Sequence, residues 1–400
     1  MNYRPLKICD LTQSYTETSG GIRTYIHEKQ KYILQNTDDS HLLIVPGEHD
    51  SREKRGRLII YRVKAPLVKN CEPFRFIMRL DKVYKILCLE QPDIIELGSA
   101  YVLPYPAMAY QGQFNIPIVG FYHTDYPNTY VKPVVDQVLH RRAGDLCEKI
   151  SYQYVKFIYN QFDATILSSI QMVEKLKKLG VKDLQHVYLG VDLQTFHPQH
   201  RKSEMRRSLG ALNGETVFIY HGRFDHEKRF DLLLQSFHLI SAQVNGLLCV
   251  IGEGPLKGLA HRMATENPKI RVLPYEKDRQ QIADYLASAD IYCAAGPHET
   301  FGLSIIEAQA SGLAVCGVRA GALIERVPKH VGVLAEPNSI AGYAEALTEL
   351  SQNGFKQKGA LARRHVEERF SWEKSFSKIF SIYDNLIRFH QRADVSRKAL

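Results

Sequence analysis

The chain has 400 residues, 44% of them apolar and 24% charged, with a formal net charge of +9. That length exceeds what one hydrophobic core usually holds and points to two domains, and the composition is that of a globular protein, not a disordered or fibrous one. No stretch resembles a membrane span or a signal peptide, so the expected location is the cytoplasm. Seven cysteines, odd in number and mostly inside apolar runs, argue against a disulfide framework. Because Cys-x-x-Cys, His-x-His, His-Glu-x-x-His and Asp-x-Asp are all missing, no metal site is expected, and a bound diphosphate would need basic residues instead.

In chain order, residues 6–10 read as a strand, 14–19 as polar loop and 22–34 as a helix made amphipathic by Ile22, Tyr25, Ile26 and Ile33. This is the opening βα unit of a doubly wound domain, in which Gly20-Gly21 either lets a ligand approach the backbone or forms an ordinary tight turn. Strands follow at 41–47 and 57–63, a helix at 74–89, and strands at 93–97 and 116–125. The last of these ends in His123, Thr124 and Asp125, at the carboxyl edge where open α/β sheets bind ligands. A long helical stretch at 134–162, a strand at 164–169 and a helix at 171–179 stopped by Gly180 complete this half.

After Phe196-His197-Pro198 the chain turns polar and basic, which sets an expected first domain at 1–192 and a second at 193–371. The second repeats the alternation, with strands at 217–223, 247–251, 271–275, 291–295, 313–317 and 331–334 and helices at 230–240 and 282–288. The expected fold class is therefore α/β, two Rossmann-like domains facing across a cleft. The last helical segment, 372–400, is expected to pack back on the first domain.

Three strand ends in the second half carry candidate chemistry. Gly222-Arg223-Phe224-Asp225-His226-Glu227-Lys228 places a guanidinium and an ammonium where both can reach one diphosphate, or where both can pair with Asp225 and Glu227 in a surface turn. Gly252-Glu253-Gly254 is a glycine loop suited to close approach of a nucleotide, although Lys257 stands where a full dinucleotide fingerprint needs glycine. Tyr275, after the next strand, either packs on a base or simply covers an edge. In Gly296-Pro297-His298-Glu299-Thr300-Phe301-Gly302-Leu303-Ser304-Ile305-Ile306-Glu307-Ala308, a buried strand ends and a helix starts. Phe301, Gly302 and Leu303 offer first-turn N–H groups to an anion. Glu299 and Glu307 can each accept hydrogen bonds from a sugar diol, or serve as a cap and a solvated acid.

Charge is concentrated between Arg52 and Lys85, where eleven bases face three acids. With Pro73-Phe74-Arg75-Phe76-Ile77-Met78 this segment reads as an interfacial element for an anionic membrane, or as a solvated helix with core aromatics. No nucleic-acid motif or interleaved stacking aromatics accompany it, so no nucleic-acid partner is expected.

Taken together, Gly222-Arg223 with Lys228, Gly252-Glu253-Gly254, Glu299-Thr300-Phe301-Gly302 with Glu307-Ala308, and Gly312 resemble the retaining glycosyltransferases of family 4, which have the GT-B fold. The likeness extends to Gly20-Gly21, to His123, and to Gly190-Val191-Asp192 with Phe196-His197-Pro198. Within the family, His123-Thr124-Asp125 looks most like the phosphatidylinositol mannosyltransferases and related lipid glycosyltransferases. The resemblance implies that Arg223 and Lys228 bind the donor diphosphate, Glu307 the ribose, and Glu299 the hydroxyls of the donor sugar. It further implies that His123 touches that sugar near its anomeric carbon and that Gly20-Gly21 shapes the acceptor side. Arg229 and Leu313-Ala314 depart from the family pattern and leave the donor open. The implied activity is transfer of a sugar, with retention and without a metal, from a UDP- or GDP-sugar to a hydroxyl of a lipid or glycan, at the inner face of the membrane. Alternatives are a nucleotide-sugar epimerase on the same scaffold and a glycosyltransferase acting on a soluble small molecule.

Overall fold

The structure, a computed structural model, describes residues 4–16, 20–68 and 74–398. It divides into two compact units, Met1–Val187 with Glu373–Leu400, and Tyr188–Trp372. The first unit ends earlier than residue 192 for a local reason. Val191 donates its N–H to the carbonyl of Phe370 at 3.2 Å, and Gly190 lies so close to the backbone of Trp372 that a Cβ would collide with it.

The first unit is built on an eight-stranded sheet: β1 (Lys7–Leu11), β2 (Ser40–Gly47), β3 (Ser51–Arg55), β4 (Leu58–Lys64), β5 (Ile94–Leu97), β6 (Ile118–Phe121), β7 (Ala164–Leu167) and β8 (Leu184–His186). Their order is β3-β4-β2-β1-β5-β6-β7-β8, parallel throughout except for β3, which runs antiparallel to β4. Central strands such as β2 and β5 are buried nearly along their whole length, as a parallel sheet covered on both faces requires. β3, Ser-Arg-Glu-Lys-Arg, has no apolar residue and was not expected; its charged side chains blunt an open sheet edge.

Two helical expectations need correction. The helix expected at 74–89 starts only at Leu80 and runs to Glu90. Upstream of it Arg75 bridges Leu67, and the side chain of Gln13 accepts from Ile77 N–H (2.8 Å) and donates to its carbonyl (3.2 Å), holding that backbone extended. Lys69, Cys71, Glu72 and Pro73 lie outside the described residues. The stretch at 134–162 is interrupted: a π-turn at Pro127–Val131 leads into a helix Lys132–Val138, and a new helix, Arg141–Tyr159, begins where His140 Nδ1 accepts the N–H of Ala143.

The helix Trp372–Lys398 belongs to the first unit from Glu373 onward. Phe376 packs between Tyr25 and Tyr32, and His390 bonds Asp163 at 2.7 Å. Between this helix and the sheet lies a sealed ionic cluster. Lys29, with 0% of its side chain exposed, reaches Asp10 at 2.6 Å, Glu96 at 3.1 Å and the Tyr383 hydroxyl at 2.8 Å. His41 bonds the second oxygen of Asp10 at 2.8 Å, and the hydroxyls of Tyr25 and Tyr383 donate to Glu96. Desolvation pushes both carboxyls up. Lys29 and His41 outweigh it at Asp10, held well below the usual range, whereas Glu96 is raised to about 7.

The second unit has six parallel strands, β9 (Thr216–His221), β10 (Gly246–Ile251), β11 (Ile270–Leu273), β12 (Ile291–Cys293), β13 (Ala314–Val318) and β14 (Gly332–Ala335). They follow the order β11-β10-β9-β12-β13-β14, so the winding reverses between β9 and β12. In a doubly wound sheet that reversal opens a crevice at the carboxyl ends of the two strands.

Candidate donor site and the matching crevice of the first unit

In the second unit β9 leads into Gly222 and Arg223, and β12 leads into Glu299. The loops after these strands touch: a Cβ on Gly296 would stand 3.1 Å from Cα of Lys228. Lys228 Nζ then lies 2.7 Å from Glu299 Oε1 and 3.5 Å from Glu227. Desolvation works against the ammonium, but the two carboxylates outweigh it and hold its pKa well above the ordinary value. Arg223 Nε pairs with Asp225 at 3.1 Å, and the same carboxylate accepts the N–H of Lys228 at 2.9 Å. Thus Asp225 braces the turn that carries both Arg223 and Lys228.

The helix Leu303–Ala310 starts just beyond, two residues later than Phe301. Gly302, at φ 83°, makes the left-handed entry, and the helix leaves the first-turn N–H groups of Leu303 and Ser304 without intrahelical partners. Phe301 is anchored rather than presented: its ring is buried, 4.3 Å from the guanidinium of the fully buried Arg326 and edge-on to Phe370. Glu307, also buried, accepts from Arg279 Nη2 at 2.9 Å, and that guanidinium lies 5.0 Å from the Phe196 ring centre. Arg279 was missed by the sequence reading. Its only signal there was an arginine opening the helix Arg279–Ser288 just after Tyr275, which follows β11 and is half-buried. His221, the last residue of β9, has a buried Nδ1 without a hydrogen-bond partner among the described residues. Burial, with Arg279 adding, pushes its pKa down to about 4.

The glycine loops pack tightly against each other. A Cβ on Gly252 would collide with the carbonyl oxygen of Gly222, and one on Gly254 would stand 2.5 Å from that of Phe224. Both glycines are accounted for by loop-to-loop packing, which fixes Gly222 and its neighbour Arg223, without invoking a nucleotide.

In the first unit the winding reverses between β1 and β5. A small cavity there is lined by Ser14, Gly98, Ser99, His123, Thr124 and Tyr126, among others. His123 stacks flat on Phe121 at 3.9 Å and meets Tyr25 edge-on at 5.2 Å. Desolvation lowers its pKa to about 3 against the pull of Asp10, so the ring is neutral. Asp125, expected at the ligand-facing edge, is instead buried and internally paired: its carboxylate accepts from Tyr122 (2.7 Å), Tyr152 (2.8 Å) and Lys175 (2.6 Å). Gly20 precedes the helix Gly21–Asn36 at an ordinary φ of −64°, and a Cβ there would meet nothing within 4 Å.

The basic segment is less basic than its window suggested. Arg79 and Lys82 share Asp50 at 2.8 and 2.6 Å, Arg52 pairs with Glu90 at 3.2 Å, and Arg57 donates to the carbonyls of Thr37 and Leu34. Asp50 and Glu90 flank the counted stretch, and Ile77 in its expected interfacial motif is buried. Among the described residues no cluster of three His, Cys, Asp or Glu side chains is placed to hold a metal ion, and no helix is long and apolar enough to cross a membrane.

Comparison with known proteins agrees with this layout. Residues 19–195 match the family described as Glycosyltransferase Family 4, and residues 201–368 match Glycosyl transferases group 1. A GDP-mannose-dependent alpha-mannosyltransferase of Corynebacterium glutamicum is 26% identical over 97% of this chain and 91% of its own length. A GDP-mannose-dependent alpha-(1-6)-phosphatidylinositol dimannoside mannosyltransferase of Mycobacterium tuberculosis is 27% identical over 92% of this chain and 94% of its own. Among solved structures, sucrose-phosphate synthase of Thermosynechococcus elongatus superposes with a TM-score of 0.78 at 20% identity, covering 96% of this chain and all of its own. The two reversed-winding sheets, the basic turn beside a glutamate-flanked helix start, and the two family matches together make this chain a hexosyltransferase of glycosyltransferase family 4, with the GT-B fold and a nucleotide-sugar donor.

Proposed function

We propose that the chain transfers mannose from GDP-mannose, with retention of configuration, to a hydroxyl of a lipid-borne acceptor, working as a peripheral protein at the inner face of the membrane. The observation that carries the donor chemistry is the 2.7 Å pair between Lys228 and Glu299, which joins the basic turn to the helix start. In the bound complex Arg223 and Lys228 hold the diphosphate. Glu299, released in part from Lys228, accepts from hydroxyls of the sugar, and Glu307 accepts from the ribose with Arg279 alongside. When the glycosidic bond breaks, negative charge grows on the leaving diphosphate. Arg223, Lys228 and the N–H groups of Leu303 and Ser304 stabilise that charge more in the transition state than in the ground state. These groups supply the positive charge that a metal would otherwise bring, so no metal is required.

Retention follows the family resemblance, with attack on the face from which the diphosphate departs and the departing phosphate taking the acceptor's proton. His123, assigned by that resemblance to the donor sugar, is a neutral hydrogen-bonding group and not the base. Mannose and guanosine are supported by the two mannosyltransferase relatives, and a lipid acceptor by the phosphatidylinositol dimannoside named for one of them. The test is a donor panel of GDP-mannose, UDP-glucose and ADP-glucose against phosphatidylinositol-based lipids and free inositol, with the product's anomeric configuration read by NMR. An α-mannosyl lipid is expected. Turnover of a UDP-sugar with none of GDP-mannose overturns the donor assignment, and turnover of inositol alone overturns the lipid acceptor.

A further inference from the structure

Seven of the nineteen large apolar side chains exposed among the described residues fall between Tyr130 and Phe157. Scattered exposed hydrophobics are ordinary, but a concentration of this kind marks a contact surface. The helix Arg141–Tyr159 explains it, being apolar on two sides. One side, with Tyr152, Val155, Ile158 and Tyr159, is buried in the first unit. The other side carries Leu146, Ile150 and Phe157, each more than half exposed. At 100° per residue these three lie within an arc of about 40°. The preceding helix Lys132–Val138 and the residue after it add Val134, Val138 and Leu139, all exposed.

Bases border this stripe. Arg142, Lys149 and Lys156 are exposed along one flank of the helix and Arg141 at its start, and none makes an ion pair or side-chain hydrogen bond among the described residues. The acids of the two helices offset only part of this charge: Lys132 engages Asp145 and Glu148, and with Asp136 counted five bases still face three acids. The surface is therefore apolar in its middle and cationic at its edge, whereas the bases of the segment 52–85 are largely held by acids and carbonyls of their own unit.

We propose that the helices Lys132–Val138 and Arg141–Tyr159 form the face by which the enzyme lies on an anionic lipid surface, with Leu146, Ile150 and Phe157 entering the acyl boundary and the four bases meeting lipid phosphates. An amphipathic helix binds an interface in this way, and unpaired lysines and arginines add attraction to anionic headgroups. A second copy of the chain fits less well: a two-fold contact through this helix would set the same unpaired cations against one another. The inference deepens the proposed peripheral location and rests on it, but it does not depend on which donor is used.

The test is co-sedimentation of the full-length protein with vesicles of phosphatidylcholine alone and with about one third phosphatidylglycerol, at low and physiological salt. The wild type is expected to bind the anionic vesicles and to weaken with salt. Leu146→Ser/Ile150→Ser/Phe157→Ser and Arg142→Glu/Lys149→Glu are each expected to weaken binding by at least about tenfold. Arg79→Glu/Lys82→Glu is expected to change it less than about twofold, because those bases are already paired. Circular dichroism and turnover of donor in detergent solution, unchanged in the helix variants, show that they fold. Vesicle binding that survives both helix variants overturns the proposal, as does its loss in the Arg79/Lys82 variant alone, or a wild type that ignores anionic vesicles and instead dimerises through this face by analytical ultracentrifugation. Failure to use GDP-mannose while vesicle binding persists overturns the donor assignment and leaves this face in place.

Discussion

The two units wind their sheets the same way around a central reversal, yet they put charge in opposite places. In the first unit the ions lie below the crevice. Asp10, Lys29, His41 and Glu96 are sealed between the sheet and the C-terminal helix, and the cavity above them is lined by uncharged hydroxyls, rings and a neutral histidine. In the second unit the ions are at the crevice itself and partly open, with 43% of the Arg223 side chain, 42% of that of Arg279 and 27% of that of Lys228 exposed. A sealed pair cannot exchange its partner and therefore serves structure, whereas a partly open pair can trade a carboxylate for a phosphate when a ligand arrives. One scaffold thus provides an uncharged crevice and a charged one, and the difference lies in a handful of side chains at strand ends.

The sharpest way to break that comparison is to remove the cation from each half. Lys29→Met leaves Asp10 and Glu96 buried without their ammonium, and should destabilise the protein by about 3–5 kcal/mol in urea titration. Tyr383→Phe removes two hydrogen bonds, one accepted from Lys29 and one donated to Glu96, and should cost less, about 2 kcal/mol. Lys228→Met acts differently. It leaves Glu299, 18% exposed, without its ammonium, so chemical unfolding should move less than in Lys29→Met, where the acids are sealed, while transfer should fall by about 10²–10³ in kcat. A Lys228→Met enzyme with wild-type kcat would remove this lysine from the donor site. Arg279→Ala comes next, an expected tenfold rise in donor KM with kcat nearly unchanged, as for a group that steadies Glu307 equally in the ground and transition states. A drop in kcat with unchanged KM would instead make Arg279 part of the charge stabilisation.

How much of this was legible before the structure depended on whether the signal was local. The stretch from Glu299 to Glu307 was readable because a strand end, a left-handed glycine and a helix start follow each other within a few residues. The basic turn was readable as a candidate, but its link to Glu299 spans 71 residues and needed the sheet. Arg279 carried almost no signal, since only tertiary packing sets it against Glu307. Lys29 sits in an amphipathic helix two residues from the exposed Lys31, and nothing in the local pattern shows that one points into the core. Gly252 and Gly254 announced a tight approach, and the backbone of Gly222 and Phe224 is part of what comes close. β3 was invisible because a strand without apolar residues has no alternation to detect, and the start of the helix at Leu80 was misplaced because Gln13, far away in sequence, captures the backbone of Ile77.

The smallest effect expected is a flat pH profile, and it discriminates most directly between roles for His123. A catalytic base with an ordinary imidazole would give a rate that falls as pH drops through about 6.5. With its pKa pushed down to about 3, His123 stays neutral, so kcat should vary by less than about twofold between pH 5.5 and 8 on its account. Stability should still respond. Below about 6.5 the unfolded chain binds a proton that folded His123 refuses, so the contribution present above that pH is lost as pH falls toward the folded value. Glu96 works in the opposite sense: raised to about 7, it binds its proton more tightly when folded, and its contribution fades as pH rises through 7. His123→Asn keeps a neutral hydrogen-bonding group and should retain measurable transfer while flattening the acid side of the stability curve, whereas His123→Phe should lose transfer with the fold intact. If the rate instead titrates near 6.5 in the wild type and becomes level in His123→Asn, the imidazole is exchanging protons during turnover and the neutral-positioner role is wrong.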